Sequence, residues 1–309
     1  MKRITCILLA VLLCVCVLNA SACTSFAVYS PSPLFGMNWD YPDTAAYLRL
    51  NQPEDYHKVF SFGFETEYGM ATNGSMNDQG FLALIQDEYP RGVPTAAMDD
   101  KSIEDMHDYA GWTPYVLSKV QEVRDMLEGG THVSCKYYTM HDLFADAGGD
   151  AFVLEEYEGK NVVTGAEGGV LVMTNFPNHF VGQFDLEKSE YELRSAYGFD
   201  GVDRYKTVHE IIAAHRDDFD VAIGFEALKN AAQYGYYRTR FSGVYDPNGK
   251  VVYVALERDY DHIWKISMEE GTVETYLGFG EEKRIYPFAV LCVGDLGIPF
   301  EKLITYAKE

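Results

Sequence analysis

The chain is short of positive charge. Its 309 residues carry 25 Lys and Arg against 47 Asp and Glu, a formal net charge of −22. Such a polyanion repels nucleic acid and anionic membrane surfaces, so no nucleic-acid partner is expected. Cysteine is scarce too. Of six, Cys6, Cys14 and Cys16 lie within the first 22 residues. Cys23, Cys135 and Cys292 are too few for a disulfide framework, and whether Cys135 pairs with Cys292 stays open. Metal-ligand spacings of the H-E-x-x-H or C-x-x-C kind are missing, as are a P-loop and a dinucleotide fingerprint, and His132, His141 and His179 form no ligand spacing. No metal or organic cofactor is therefore expected. Beyond residue 22 no apolar segment approaches the roughly 20 residues of a membrane span, and no linker, repeat or low-complexity run divides the chain. Residues 23–309 read as a single domain with one large core. Homo-oligomerisation is left open.

What is present begins with a leader. Met1-Lys2-Arg3 is charged, the run from Ile4 to Leu18 is apolar, and Ala20 and Ala22 supply an A-x-A pattern. That is the layout of a signal peptide over residues 1–22, cut after Ala22, and an exported product (secreted, periplasmic or cell-surface) is expected. Cys23 would then be the first residue, carrying a thiol and a free α-amino group. An amine with a pKa of about 7.7–8.0 can serve as base for its own thiol; in the uncut chain that nitrogen is an amide without basicity. A cysteine after a cleavage site has another use, as the lipid anchor of a binding lipoprotein without catalysis. The lipoprotein pattern prefers Leu three residues before the cysteine, where this chain has Ala20.

Periodicity predicts strands at 23–29 and 34–39 around the turn Ser30-Pro31-Ser32-Pro33, which returns Asp40 towards Cys23. Further strands are expected at 47–51, 59–64, 68–73 and 81–86, then a helical block at 113–127. Strands at 151–156, 161–163 and 170–174 precede helices at 202–214 and 222–232. Strands at 241–245, 251–255, 263–267 and 273–277 and a short helix at 300–306 complete the chain. Two groups of strands with helices between them predict an α+β fold of two antiparallel sheets with helices outside.

A nucleophile at Cys23 needs a group to hold its amine and a donor for the oxyanion of an attacked carbonyl. Asp40, at a strand end, suits the first role; a lone Asp there is more often a turn cap. Asn175, after the apolar strand Gly169–Thr174, suits the second; judged alone it is a turn residue before Pro177. A papain-like pairing of Cys135 with one of the histidines is disfavoured, because Cys135 sits in an ordinary β-looking run.

Several motifs occur together in order. They are Cys23-Thr24, Gly36-Met37-Asn38-Trp39-Asp40, Met76-Asn77-Asp78-Gln79-Gly80-Phe81, the stretch from Asp146 to Glu155, Val172-Met173-Thr174-Asn175, Asp203-Arg204-Tyr205 and Arg238-Thr239-Arg240-Phe241. Their order and spacing resemble the choloylglycine hydrolase superfamily of N-terminal-nucleophile (Ntn) enzymes. That group includes bile salt hydrolases, penicillin V acylases, acid-ceramidase-like amidases and isopenicillin N acyltransferases. The resemblance implies a four-layer αββα sandwich and a small-molecule N-acyl amide substrate. It implies hydrolysis of a linear, non-peptide amide through a Cys23 thioester, without metal or cofactor; acyl transfer to an amine is the alternative. It further implies that Asp40 holds the amine, Asn175 serves the oxyanion hole and Arg204 lies near the nucleophile. Two positions depart from the pattern. Asp87 stands where bile salt hydrolases have a second oxyanion Asn, and a carboxylate donates there only when protonated, which points to backbone N–H groups instead. Met37 stands where those enzymes carry Arg, giving an apolar wall closer to the acyltransferase branch.

Overall fold

The computed structural model describes residues 23–67, 69–90, 103–135, 139–183, 185–281 and 283–308. The leader at 1–22 and Tyr68, which begins the strand expected at 68–73, fall outside them.

In chain order, β1 (Thr24–Val28) and β2 (Leu34–Asp40) form the hairpin read from the turn prolines. β3 (Ala46–Asn51), β4 (Val59–Thr66), β5 (Gly69–Asn77) and β6 (Leu82–Asp87) follow as an antiparallel meander. A short parallel pair, β7 (Ile103–Asp105) and β8 (His132–Ser134), brackets α1 (Met106–Val116) and α2 (Val120–Glu128). β9 (Met140–Ala145), β10 (Ala151–Tyr157), β11 (Lys160–Gly165) and β12 (Val170–Met173) come next. α3 (Glu190–Tyr197), α4 (Val202–Ala214) and α5 (Val221–Asn230) separate these from β13 (Thr239–Asp246), β14 (Val251–Leu256), β15 (Ile263–Ser267) and β16 (Thr272–Leu277). The C-terminal part holds β17 (Ile285–Pro287), α6 (Phe288–Leu291), β18 (Ile298–Pro299) and α7 (Phe300–Ala307).

Among the described residues these strands make two eight-stranded sheets, ordered β12-β1-β2-β13-β14-β15-β16-β17 and β11-β10-β9-β6-β5-β4-β3-β18. Strand alternation separates the layers. Phe35, Met37 and Trp39 of β2 point into the core between the sheets with Phe62, Leu84, Leu143 and Val153. Phe26 and Leu34 face the other way, onto Val208, Ile212, Phe225 and Leu228 of α4 and α5. The second sheet covers its outer face with α1 and α2 through Phe81, Ile85, Met106, Tyr109 and Val123. The result is helix, sheet, sheet, helix, the αββα sandwich that the strand groups and the motif resemblance predict. Gly36 shows how tightly the first sheet is covered: a Cβ there would lie 2.2 Å from the Phe26 ring.

Two local expectations are revised. The single helical block at 113–127 is two helices broken at 117–119. Asn77 Nδ2 donates to the carbonyls of Pro114 and Leu117 at 2.8 and 2.7 Å, taking acceptors that a continuing helix would use. Glu122 restarts the helix by accepting from the N–H groups of Ser118 and Lys119 at 2.7 and 2.8 Å. Helix α3 was hidden in an acidic stretch. Its signals are a Ser189/Glu192 capping box and Gly198 at φ 77° just past its end. Cys23, Cys135 and Cys292 are all free thiols, which answers the pairing question. No described helix is long and apolar enough to cross a membrane.

Candidate active site

Cys23 stands at the head of β1, which is hydrogen-bonded to β2 on one side and β12 on the other. The two neighbours deliver the predicted residues: β2 ends at Asp40, and β12 ends two residues before Asn175. Cys23 is buried, and Asp40 and Asn175 are fully so. Arg204 comes from the first turn of α4, on the helical layer behind the sheet, and is also buried.

These side chains form one network. Asn175 Oδ1 accepts from the main-chain nitrogen of Cys23 at 2.8 Å and from Arg204 Nη2 at 2.8 Å. Arg204 Nη1 donates to the carbonyl oxygen of Cys23 and to Thr24 Oγ1, the latter at 2.9 Å. Asn175 Nδ2 donates to the main-chain oxygen of Asp87 at 2.7 Å, and Tyr89 N–H donates back to the Asn175 carbonyl at 2.5 Å. Asn175, two residues past β12, therefore ties the end of β6, in the second sheet, to the cysteine in the first. Arg204, legible only through the motif resemblance, braces both Cys23 and Asn175.

Asp40 sits beside the thiol. Its carboxylate accepts from Thr239 Oγ1 of β13, while its main-chain N–H bonds the Cys23 sulfur and favours the thiolate. Burial pushes the Asp40 carboxyl up to about 7, against the pull of Arg204, Thr239 and Arg258. Burial and then the Asp40 charge push the Cys23 thiol well above its ordinary value, with the Asp40 N–H and Arg204 acting the other way. This is the state of the chain with residue 22 still attached, where the Cys23 nitrogen is an amide.

The motif around Thr239 has a clear local task. Arg240 donates to the carbonyl of Thr44 at 2.6 Å and to Glu257 at 2.7 Å, and Arg238 bonds Glu257 at 3.0 Å. Together they fix the chain that leaves Asp40. Asn38 is structural as well: it donates to Leu228 of α5 and accepts from Ser242, each at 2.7 Å.

A cavity of about 60 Å³ lies in front of Cys23. Its apolar wall is Trp39, Tyr41, Phe64 and Met140, with Asp87 and His107 at its polar side. Tyr41 and Phe64 pack with ring centroids 4.5 Å apart. Met37, expected to form the apolar wall, lies fully buried in the core between the sheets. Trp39, two residues on along the same face of β2, lines the cavity instead. The aromatic wall was missed in the sequence because Tyr41, just past the end of β2, and Phe64 of β4 belong to segments of different sheets. The Asp87 carboxylate is close enough to raise the Cys23 and Tyr41 values, and its main chain, as noted, receives Asn175.

Next to this site lies a second buried cluster. Glu88, His141 and Glu155 each bring one ligand-type atom within 4.8 Å of the others, a grouping that the sequence spacing of the histidines gave no sign of. Both oxygens of Glu155 already accept hydrogen bonds from protein donors, so these lone pairs are committed within the fold.

A buried cysteine heading the first strand of a two-sheet αββα sandwich has Asn and Arg from the layers around it as neighbours, as the motif resemblance implies. The chain's likenesses bear out the resemblance to the choloylglycine hydrolase superfamily. No protein-family model matches it. It is 24% identical over 277 residues to a penicillin V acylase of Pectobacterium atrosepticum, covering 70% of each chain. Among solved structures it resembles the penicillin V acylase of Agrobacterium tumefaciens (TM-score 0.60, 20% identity, 82% of this chain and 90% of the other). A variant of conjugated bile acid hydrolase from Clostridium perfringens is similar at TM-score 0.60 and 17% identity, over 85% of this chain and 96% of that one.

Proposed function

We propose that the chain is an exported hydrolase of linear, non-peptide amides, activated by removal of residues 1–22 and acting through a thioester at Cys23. One observation carries this reading: the main-chain nitrogen of Cys23 is 2.8 Å from Asn175 Oδ1, at the head of a strand that borders a cavity with an aromatic wall. Cleavage after Ala22 would turn that nitrogen into an amine already aimed at a fixed acceptor. The names of the relatives, acylases and a hydrolase of conjugated bile acids, support amide hydrolysis as the reaction.

The steps follow from the groups present. The free amine takes the thiol proton, and its positive charge opposes the burial that holds the thiol neutral. The thiolate attacks the amide carbonyl. An Asn side-chain nitrogen carries two hydrogens; one of Asn175 is engaged by Asp87, and the other is available to the developing oxyanion together with main-chain N–H groups near Asp87. The ammonium protonates the departing amine, leaving the acyl group on sulfur. Water, deprotonated by the same amine, releases the acid. Asp40 stabilises the ammonium, and Arg204 keeps Cys23 and Asn175 in register. The aromatic cavity wall favours an apolar acyl group, and among the described residues no Lys or Arg lines it to pair with an acyl carboxylate.

The test is turnover and intact mass of the purified exported protein, wild type and Cys23→Ala. Its substrates are a panel of N-acyl amino acids, N-acylethanolamines, penicillin V and conjugated bile acids. The expected result is an N-terminus at Cys23, an acyl adduct on that residue, and release of free acid. Product appearing on an added amine instead would make the chain an acyltransferase. A lipid adduct on Cys23 and no turnover would make it an anchored binding protein.

A further inference from the structure

The cluster beside the site has a task of its own. Glu155, in the last part of β10, is fully buried. Its Oε1 accepts from the Asn178 N–H and lies 3.3 Å from His141 Nδ1. Its Oε2 accepts from the His179 N–H at 2.9 Å and lies 3.0 Å from His179 Nδ1. Four donors thus converge on one carboxylate. Burial alone would raise its pKa, but the bonds from His141 and His179 outweigh it and hold the carboxyl down at about 2, so it is an anion. Glu88, close by, is driven the other way, its carboxyl raised by burial and by the charges of Glu155 and Glu156.

What this anion holds is the turn that follows Asn175. Asn178–Phe180 is a single 3-10 turn, and two of its main-chain N–H groups end on Glu155. Asn178 also donates to the carbonyl of Val172 in β12 at 2.8 Å. β12 belongs to the first sheet and β10 to the second. Residues 174–177 are therefore a short bridge between sheets, clamped at one end by β12 and at the other by Glu155, with Asn175 in the middle. A clamp of this kind matters because a donor must sit within a fraction of an ångström of its productive place.

We propose that Glu155 is a positioning residue for the reaction: it anchors the 178–179 turn and thereby sets where the Asn175 amide stands relative to Cys23. This rests on the role given to Asn175 above. His141 and His179 are the props that keep Glu155 ionised and oriented, and Glu155 itself touches no reacting atom.

The experiment is a double-mutant cycle on the mature enzyme with Glu155→Gln and Asn175→Ala, read with the best substrate of the panel. An amide at 155 keeps the shape but replaces one acceptor by a donor facing a main-chain N–H. Glu155→Gln should lower kcat about 10²-fold, the scale of a small misplacement of a catalytic group, with KM nearly constant. In the Asn175→Ala background the same change should cost less than about twofold, because Glu155 acts only through Asn175. Losses that multiply would overturn the proposal and leave Glu155 a purely structural residue. If Glu155→Gln does not fold, His179→Phe keeps the ring that packs on Tyr157 and Phe180 and removes one prop. It should show a smaller kcat loss with the same non-additivity; multiplied losses would again refute it. Hydrogen exchange gives a readout independent of turnover: residues 175–179 should exchange faster in either variant while β10 stays protected, and unchanged exchange would refute the clamp. Should the wild type turn over no amide at all, the hydrolase reading falls and the kinetic part of this inference with it, while exchange still decides whether Glu155 holds the turn.

Discussion

Asp40→Asn separates stability from activity, and the structure gives both signs. Asp40 is completely buried, and burial lifts its carboxyl from 3.8 to about 7 in the chain whose Cys23 nitrogen is an amide. An acid with a raised folded-state pKa favours the fold when it is protonated. That contribution is fully present below the unfolded value of 3.8 and is lost as the pH rises through about 7. A shift of roughly three units corresponds to about 4 kcal/mol. In a chain blocked at Cys23 by an N-terminal extension, Asn at position 40 does not titrate. The stability of the variant relative to its parent should therefore improve with pH, by up to about 4 kcal/mol between about pH 3.8 and about pH 7, and no further above that.

Urea unfolding of both blocked proteins across that range measures the effect, with circular dichroism at each pH. Unblocking Cys23 supplies an ammonium beside Asp40, which favours the carboxylate, so the pH trend should shrink in the mature protein. Activity should move the opposite way. Without the carboxylate the amine's pKa falls, so the acidic limb of kcat/KM should rise at lower pH in Asp40→Asn while the rate declines. A stability difference that is flat with pH in the blocked chain would refute the buried, neutral Asp40. An unchanged rate and profile in the mature variant would reduce Asp40 to a strand-end cap bonded to Thr239.

The other expected outcomes are shorter. Cys23→Ala should abolish turnover while Cys135→Ala and Cys292→Ala keep most of it, since Cys23 lines the cavity and neither of the other two does; an essential Cys135 would sink the assignment. Asn175→Ala should lower kcat about 10²–10³-fold with KM little changed, measured on protein shown to be folded and cut after Ala22. Arg204→Lys keeps the charge but not the planar fork that reaches Cys23, Thr24 and Asn175 at once; kcat should fall at least about 10-fold, and wild-type turnover would refute the bracing role. A chain blocked at Cys23 should be inactive until the block is removed, and full activity before unblocking would exclude the amine as base.

How much of this was legible in the sequence depends on whether a residue's partners are near in the chain or far. The β1–β2 hairpin could be read because its turn prolines and apolar alternation are local, and it alone brings Asp40 back to Cys23. Helix α4 was read at its observed bounds because its apolar spacing is regular. Asn175 was found as a strand-end amide, but its hydrogen-bonding required the structure: Oδ1 faces Cys23, 152 positions away, and Nδ2 faces Asp87, 88 positions away. Thr239 meets Asp40 across 199 positions, a pairing set by the register of β13 on β2 that no local pattern carries. Glu155 was the least legible. Within its strand it is one more residue between Leu154 and Glu156, and His141 and His179 show no ligand spacing. Only the alignment of β6, β9 and β10 and the return of the chain from the other sheet bring the three together. Glu155 closes one of the motif stretches, but its use is shown only by the topology. That is why the cysteine and its immediate neighbours can be inferred from short motifs in order, while the clamp behind Asn175 cannot.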